Sequence, residues 1–314
     1  MMDSFLITGA TGLIGRALTL SLRNAGARVY ACCRSSEKFK ACFSNDDNIV
    51  PVYGDICTLN INNIDTDYII HAASTTTSRD FVDKPVETIR TAVGGTLNIL
   101  DQCKNKKLKG FVYISSMEAF GITPTDDRDI RETDLGYIDI MNVRSSYSES
   151  KRLCENLCVS YASEYGVPAK VIRLAQVVGP GVSYTDKRVT VQFARSVIEG
   201  KDIVLKTEGK TKRPILYIDD AVSAILTVLD KGKAGECYTA ANPDTFCTIK
   251  ETAEAIIHEI AQNKIKLVFD LDSNAGYAPD ICLNLNADKL KALGWEPKVG
   301  LVESYRKLID SLRK

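Results

Sequence analysis

The chain has 314 residues, enough to bury a large core as one domain or as two unequal ones. Its 40 Lys and Arg residues balance its 40 Asp and Glu residues, which excludes a strong overall attraction to nucleic acid or to an anionic membrane. The ten cysteines lack the spacing of a disulfide framework or a zinc site, and no apolar run approaches the roughly 20 residues of a membrane span, so we expect a cytoplasmic protein with reduced thiols and no metal.

A short apolar strand followed by three glycines opens the chain. Residues 5–8 favour a buried parallel strand, and a helix is predicted over residues 13–25. Gly9 allows a tight turn, Gly12 lets backbone amides approach a pyrophosphate, and Gly15 lets the helix pack closely on the sheet. The helix N-terminus would face the phosphates. In this strand and helix context, the spacing Gly-x-x-Gly-x-x-Gly predicts a dinucleotide site.

The second predicted strand, residues 28–33, bears on the choice of dinucleotide. NAD sites usually carry an acidic residue at the end of this strand, where it binds the ribose 2′-hydroxyl. Here Arg34, Ser35 and Ser36 follow the strand instead. A cation and two hydroxyls suit the 2′-phosphate of NADP. The sequence therefore favours NADP and leaves NAD open.

Strands and helices continue to alternate up to residue 114. Further strands are predicted at residues 49–52, 67–71 and 111–114, with a long helix at 85–104. Asp55 and Ile56 follow the first of these strands, where a carboxylate could meet an adenine amino group. Ala72 and Ala73 follow the next and are small enough for a cofactor to lie against the backbone, whereas packing explains the preceding His71 better than catalysis does. The alternation predicts an α/β protein with a Rossmann-type, doubly wound parallel sheet.

Hydroxyl and carboxylate side chains follow the strand that ends at residue 114. Ser115, Ser116 and Glu118 lie at the carboxyl edge of the predicted sheet, where ligands of such folds bind. The next predicted helix begins with Tyr147 and Lys151, whose spacing of four residues places both on one helix face. These side chains are the candidates for chemistry.

The regular alternation loosens after a sixth predicted strand at residues 170–174. We predict a dinucleotide-binding domain of residues 1–174, to which residues 213–240 return. A smaller, mixed substrate-binding domain would comprise residues 175–212 and 241–314. No linker rich in Pro, Gly or Ser separates the two, so the boundary is soft.

Several motifs recur in one order along essentially the whole chain. They are Thr8-Gly9-Ala10-Thr11-Gly12-Leu13-Ile14-Gly15, His71-Ala72-Ala73, Ser115-Ser116 ahead of Gly121, Tyr147 with Lys151, Gly179-Pro180, Arg213 ahead of Tyr217-Ile218-Asp219-Asp220, and Leu293-Gly294-Trp295-Glu296-Pro297. In this order and spacing the chain resembles the extended short-chain dehydrogenase/reductase family, specifically its nucleotide-sugar epimerases, dehydratases and decarboxylases.

The resemblance implies a role for each matching residue. Tyr147 would take a proton from a sugar hydroxyl while hydride leaves the same carbon for a nicotinamide, and Lys151 would favour the phenolate and hold the nicotinamide ribose. Ser116 would hydrogen-bond the reacting oxygen, and Arg213 would bind the nucleotide diphosphate. Gln176 stands where the family carries a substrate-contacting Asn. The implied cofactor-binding residues are Gly9, Thr11, Gly12, Leu13, Ile14, Gly15, Arg34, Ser35, Asp55, Ile56, Ala72, Ala73, Tyr147 and Lys151.

Other positions bear on which reaction is catalysed. Glu118 stands where the dehydratases and decarboxylases carry a Glu, and it would abstract the C5 proton once C4 is a ketone. The alternative is a solvated carboxylate at a helix start. Met117 replaces the acid with which 4,6-dehydratases protonate the leaving hydroxyl, which argues against standard dehydration. Ala92 replaces the family's usual Asn, and Tyr277 and Ala278 stand where a second phosphate-binding Arg is common.

The resemblance therefore predicts an NAD(P)-dependent enzyme that acts on a nucleotide-diphosphate sugar. Epimerase or dehydratase chemistry would proceed through a transient 4-keto sugar. The open alternatives are an NADPH-dependent keto-sugar reductase, a nucleotide-sugar decarboxylase and, from another class, a non-catalytic dinucleotide sensor. The resemblance also implies a homodimer formed through the helices at residues 85–104 and 147–164. We expect no nucleic-acid or membrane partner.

Overall fold

The computed structural model describes residues 3–43, 46–124, 126–271 and 280–313, so the departures at Tyr277 and Ala278 lie outside the described residues. The strands are β1 (Ser4–Thr8), β2 (Arg28–Cys33), β3 (Ile49–Tyr53), β4 (Tyr68–His71), β5 (Gly110–Ser116), β6 (Ala169–Leu174), β7 (Gln176–Val178), β8 (Ile203–Leu205), β9 (Lys212–Arg213), β10 (Ile215–Tyr217), β11 (Cys237–Ala240), β12 (Cys247–Thr248) and β13 (Leu267–Phe269). The helices are α1 (Leu13–Asn24), α2 (Ser36–Phe43), α3 (Ser78–Asp83), α4 (Pro85–Ile89), α5 (Gly95–Cys103), α6 (Ser145–Tyr165), α7 (Val189–Glu199), α8 (Ile218–Lys231), α9 (Ile249–Glu259), α10 (Asp288–Lys291) and α11 (Leu301–Leu312).

Within the described residues, seven strands form one central sheet. Their order is β3-β2-β1-β4-β5-β6-β11, and every pair in it is parallel. The strands are apolar and largely buried, and all six residues of β6 are buried, because helices cover both faces of the sheet. The chain winds outward in both directions from β1 and β4, which opens a crevice at the carboxyl ends of these two strands. The predicted doubly wound α/β fold is confirmed.

The helix predicted over residues 85–104 differs from the structure, because it is interrupted by a turn of π-helix at Arg90–Gly94 between α4 and α5. Two adjacent glycines follow Val93, and an added Cβ at Gly95 would come within 2.8 Å of the Ile56 side chain. The Thr96 hydroxyl also donates to the Ala92 carbonyl at 2.7 Å. The wider turn thus ends at two adjacent glycines, the second of which has no room for a side chain beside Ile56.

The second half of the chain adds short strand pairs and a separate core. Strand β7 pairs with β10, β9 with β12, and β8 with β13. A hydrophobic cluster that includes Phe193, Ile256 and Leu308 lies between α7, α9 and α11. Strand β11 instead extends the central sheet beside β6. The proposed division into two domains stays a prediction.

The composition led to three expectations, which concern membrane-spanning helices, cysteines and metal sites. Among the described residues, no helix is both long and apolar enough to cross a bilayer. Six of the ten cysteines are buried, and none of the ten is paired in a disulfide. The reduced state of the thiols stays a prediction. Within the described ranges, no three His, Cys, Asp or Glu side chains come together as metal ligands. The cytoplasmic location stays a prediction.

Candidate active site

A cleft of about 930 Å³ lies at the crevice between β1 and β4. The glycine loop after β1 lines one end of this cleft, and Arg213 lines it together with the residues predicted to carry out chemistry. The predicted site residues that line it are Gly9, Thr11, Gly12, Leu13, Ile14, Gly15, Arg34, Asp55, Ile56, Ala72, Ala73, Ser116, Glu118, Tyr147, Lys151, Gln176 and Arg213. Residues as far apart in the chain as Gly9 and Arg213 therefore share one cavity.

The glycine loop has the shape that a dinucleotide diphosphate requires. Gly9 has a φ of +66°, and a Cβ there would lie 2.9 Å from the backbone of Ala73. A Cβ on Gly15 would lie 2.2 Å from the Gly9 carbonyl oxygen, so neither position accepts a side chain. Helix α1 begins at Leu13 without a capping side chain, which leaves its first amides for a ligand at the positive end of the helix. The loop fits a bound dinucleotide.

The hydroxyl of Thr8 connects the ends of β1 and β4. Its Oγ1 accepts hydrogen bonds from the Ala72 and Ala73 amides, each at 3.1 Å, and lies 2.8 Å from His71 Nδ1. His71 Nε2 lies 3.2 Å from Thr96 Oγ1 on α5. Burial lowers the pKa of His71 to about 3, with the nearby Lys151 charge adding to this effect. His71 is therefore a neutral packing residue, as the sequence predicted.

The loop after β2 brings two cations to the cleft. Arg34 and Lys38 line it, although the sequence prediction named only the first. Ser35 does not line the cleft, because its hydroxyl donates to Glu37 at 2.8 Å and accepts from the Lys38 amide at 3.1 Å. The Ser36 hydroxyl also donates to Glu37, at 3.2 Å. The predicted donation from these two serines to a 2′-phosphate therefore gains no support, whereas Lys38 is a candidate that sequence reasoning missed.

Tyr147 lies at the floor of the cleft with its ring stacked on Phe81, at a centroid distance of 4.2 Å. Burial raises the pKa of its phenol, a hydrogen bond with Ser116 lowers it, and the Glu118 charge raises it. The Lys151 ammonium donates to the Ile114 carbonyl at 2.8 Å and lies 5.6 Å from the centre of the Tyr147 ring. In this arrangement burial outweighs the expected help from Lys151, so the phenol is neutral.

Glu118 has partners that the sequence did not suggest. The Arg144 guanidinium donates to its two oxygens at 3.1 and 3.5 Å, and the Ser148 hydroxyl donates to it at 3.3 Å. Ser116 accepts from the Glu118 amide at 3.2 Å, which caps the short 3₁₀ turn Met117–Phe120. Arg144 lies 26 residues from Glu118, and only the fold brings the two together. The carboxylate is therefore held by a cation rather than free in solvent.

Arg213 extends from β9 into the same cleft as Tyr147. Its side chain is half-buried, and burial lowers the pKa of its guanidinium while the Glu118 charge raises it. Within the described ranges, no hydrogen bond or ion pair joins this guanidinium to another residue. A half-buried cation without a protein partner suits an anionic ligand.

Comparison with known proteins identifies relatives over the whole chain. The model of the NAD-dependent epimerase/dehydratase family matches residues 5–242. UDP-glucuronic acid decarboxylase 1 of Arabidopsis thaliana is 26% identical over 322 residues, which cover 98% of this chain and 69% of that protein. UDP-glucuronic acid decarboxylase 3 of the same plant is 29% identical over 255 residues, which cover 80% of this chain and 71% of that protein.

Solved structures share the fold. UDP-glucose 4-epimerase of Thermotoga maritima, determined with UDP-glucose, superposes with a TM-score of 0.82 at 22% identity and covers 99% of this chain and 98% of its own. UDP-glucuronic acid 4-epimerase of Bacillus cereus, determined with UDP-glucuronic acid and NAD, gives a TM-score of 0.83 at 21% identity and covers 99% of both chains.

The buried ammonium of Lys151 predicts a pH-dependent stability difference. Burial lowers the pKa of Lys151 from 10.5 to about 8, so the buried charge destabilises the folded protein fully below pH 8, and this cost disappears as the pH rises toward 10.5. Relative to a Lys151→Met variant, the free energy of unfolding of the wild type should rise by about 2 to 3 kcal/mol between pH 7 and pH 10.

Urea unfolding at a series of pH values measures this difference. Lys40→Met, at an exposed position on α2, controls for the loss of a lysine. A wild-type to Lys151→Met difference that stays constant from pH 7 to pH 10 would contradict the buried, perturbed ammonium.

Proposed function

The chain belongs to the NAD-dependent epimerase/dehydratase family, and from this membership we propose that its cleft binds a nucleoside-diphosphate sugar and reversibly oxidises C4 of the sugar. The chain belongs to a family of enzymes, and Ser116, Tyr147 and Lys151 all line its cleft. It is therefore an enzyme rather than a non-catalytic dinucleotide sensor. The reaction would pass through a transient 4-keto sugar.

The observation that carries this proposal is the position of Arg213. Among the described residues its guanidinium has no hydrogen-bond or ion-pair partner, and it lines the same cleft as the glycine loop and Tyr147. The glycine loop suits the diphosphate of a dinucleotide, and Arg213 suits a second diphosphate. A nucleotide sugar with its diphosphate on Arg213 would place its sugar toward Tyr147. One cavity of about 930 Å³ thus has separate groups for two diphosphates and a proton acceptor.

The chain's own residues would hold and move the proton of the C4 hydroxyl. Ser116 and Tyr147 line the same cleft, and Ser116 lies close enough to lower the pKa of the Tyr147 phenol, so both hydroxyls can reach one substrate oxygen. A bound nicotinamide supplies a hydride acceptor and a positive charge. Because burial raises the pKa of Tyr147, the phenol becomes a proton acceptor only where positive charge offsets that burial, and Lys151 is positioned to contribute.

Decarboxylation of a hexuronic acid is the outcome that the environment of Glu118 favours. Arg144 donates to both oxygens of Glu118 and Ser148 donates to one of them, so the carboxylate would have to give up these bonds to abstract the C5 proton. Met117 offers no acid to a leaving hydroxyl. Decarboxylation of a 4-keto hexuronic acid needs no base at C5. The C5–C6 bond breaks as CO₂ leaves, its electron pair forms the C4=C5 double bond, and the C4=O π pair moves onto the C4 oxygen, which Ser116 can stabilise. A proton from water would then add to C5, and the hydride and proton taken from C4 and its hydroxyl would return, so that no cofactor is consumed. The decarboxylases among the curated relatives support this candidate.

We propose NADP as the preferred cofactor. Arg34 and Lys38 both line the cleft beside the end of β2, where the ribose 2′-position of a dinucleotide bound in such folds lies. Two cations there favour a 2′-phosphate over a 2′-hydroxyl. A preference for NADP is equally compatible with the alternative function, an NADPH-consuming keto-sugar reductase.

We also propose that the protein is a homodimer. Helix α4 exposes Val86 and Ile89, with 65% and 45% of their surfaces accessible, and α6 exposes Val159 at 41%. These residues lie on the two helical regions predicted to form the dimer. A second copy would cover apolar side chains that a monomer leaves in water.

The direct test of the function is a panel of UDP-, CDP-, GDP- and dTDP-sugars that includes UDP-glucuronic acid, with products identified by mass and NMR. We expect turnover of UDP-glucuronic acid with loss of CO₂ and no net consumption of reduced cofactor. An unchanged mass would identify epimerisation, and stoichiometric loss of reduced-cofactor absorbance would identify a reductase. Tyr147→Phe should lower kcat roughly a hundredfold or more. Absence of turnover across the panel, or full activity of Tyr147→Phe, would refute the proposal.

Cofactor preference is tested by titrating NAD and NADP into the wild type and into Arg34→Ala. The variant should bind NADP about tenfold more weakly, with NAD affinity nearly unchanged, since only NADP carries the phosphate. Lys40→Ala, an exposed cation on α2 outside the cleft, is the matched control. Equal effects of Arg34→Ala on both dinucleotides would argue against the phosphate contact.

Light scattering on a size-exclusion column tests the dimer. We expect twice the chain mass for the wild type and for Val204→Glu, an exposed position on β8, and a monomer for Val86→Glu combined with Ile89→Glu. A monomeric wild type at micromolar concentration would rule out the dimer.

A further inference from the structure

A buried carboxylate lies directly behind the proposed catalytic residues. Glu155 Oε1 accepts hydrogen bonds from the Ser115 hydroxyl at 2.5 Å and from Arg173 Nε at 2.9 Å, and its Oε2 accepts from Arg173 Nη2 at 2.7 Å. Only 10% of the Glu155 side chain and 5% of the Arg173 side chain are accessible to solvent. Three donors therefore fix both oxygens of this carboxylate.

The three residues lie on the elements that carry the site. Glu155 is one helical turn beyond Lys151 on α6, which also carries Tyr147. Ser115 precedes Ser116 at the end of β5, and Arg173 precedes the end of β6. The carboxylate thus connects the strand that bears one proposed catalytic hydroxyl to the helix that bears the other.

Contacts of Arg173 extend this network. Its Nη1 donates to the Glu132 carbonyl at 2.8 Å, and the Glu132 carboxylate accepts from the Thr239 amide on β11 at 2.8 Å. The guanidinium also lies 4.6 Å from the centre of the Phe120 ring, at the end of the 3₁₀ turn that carries Glu118. The group therefore links β5, β6, α6 and β11 to the 3₁₀ turn that carries Glu118.

Stability alone does not explain a buried ion pair at this position. Desolvation of two charges offsets most of their attraction, and apolar residues of similar volume often give equal or greater stability. The ion pair instead fixes positions, because its directional hydrogen bonds hold Ser115, Glu155 and Arg173 at set distances from one another. Catalysis by two hydroxyls on one substrate oxygen depends on such geometry, since a displacement of about 1 Å can cost a hundredfold in rate.

We propose that Glu155, through Ser115 and Arg173, is a positioning residue that fixes the separation between the Ser116 and Tyr147 hydroxyls. This inference rests on the proposed function, in which both hydroxyls act on one oxygen. Glu155 itself does not touch the substrate.

The test replaces the pair by apolar residues, as Glu155→Leu combined with Arg173→Leu. The double variant should fold and melt within a few degrees of the wild type, with KM for the nucleotide sugar and cofactor affinity nearly unchanged, while kcat falls at least about tenfold. Glu155→Gln keeps the shape of the side chain and should also lower kcat. This single variant tests the positioning role if the double variant does not fold. Lys170→Met, which removes a buried cation from β6 that bonds to the Leu229 carbonyl, should leave kcat unchanged.

A crystal structure of the double variant gives a readout that does not require turnover. We expect the Ser116–Tyr147 hydroxyl separation to increase by about 0.5 Å or more. Wild-type kcat in the folded double variant, or an unchanged separation, would overturn the positioning role. Absence of wild-type turnover on any nucleotide sugar would instead contradict the proposed function, and the crystallographic comparison would still decide the role of Glu155.

Discussion

The junction between β1 and β4 is the constraint on which the site depends. Thr8 Oγ1 accepts from two consecutive amides, those of Ala72 and Ala73, and so holds the end of β4 against the end of β1. At this junction Gly9 approaches Ala73 so closely that no side chain fits between them. The neutral His71 continues the contact to Thr96 on α5. The crevice therefore has a fixed shape beside the glycine loop, where the groups that Thr8 holds are backbone amides.

Burial dominates the electrostatics around this crevice. It raises the pKa of the Tyr147 phenol and lowers the pKa of the Lys151 ammonium to about 8, so both groups are less charged than they would be in water. Arg213 has no partner within the described residues, whereas Glu118 is paired with Arg144. The cleft therefore favours the binding of negative charge before any proton moves. Chemistry at the phenol would then require the charge that a ligand brings.

Local patterns predicted the parts of the molecule that local physics determines. The strand that precedes Gly9, the glycine spacing and the Tyr147 and Lys151 pair are contained in short segments, and the glycine loop and this pair line the cleft. Features that depend on distant contacts escaped prediction. Arg144 meets Glu118 across 26 residues, and Arg173 meets Glu155 across 18. The turn of π-helix at Arg90–Gly94 has no signal in the local pattern, and the Ser35 hydroxyl bonds to Glu37, two residues away, and not to the cleft.

The central claim is that Tyr147 removes the proton from the C4 hydroxyl of a nucleotide sugar, while Ser116 hydrogen-bonds the same oxygen, as hydride leaves C4. The most direct measurement compares turnover of a nucleotide sugar, preferably UDP-glucuronic acid, with and without deuterium at C4. Our account predicts slower turnover of the deuterated substrate in single-turnover experiments and transient appearance of deuterium on the nicotinamide ring. Equal rates, with the deuterium never leaving C4, would contradict it.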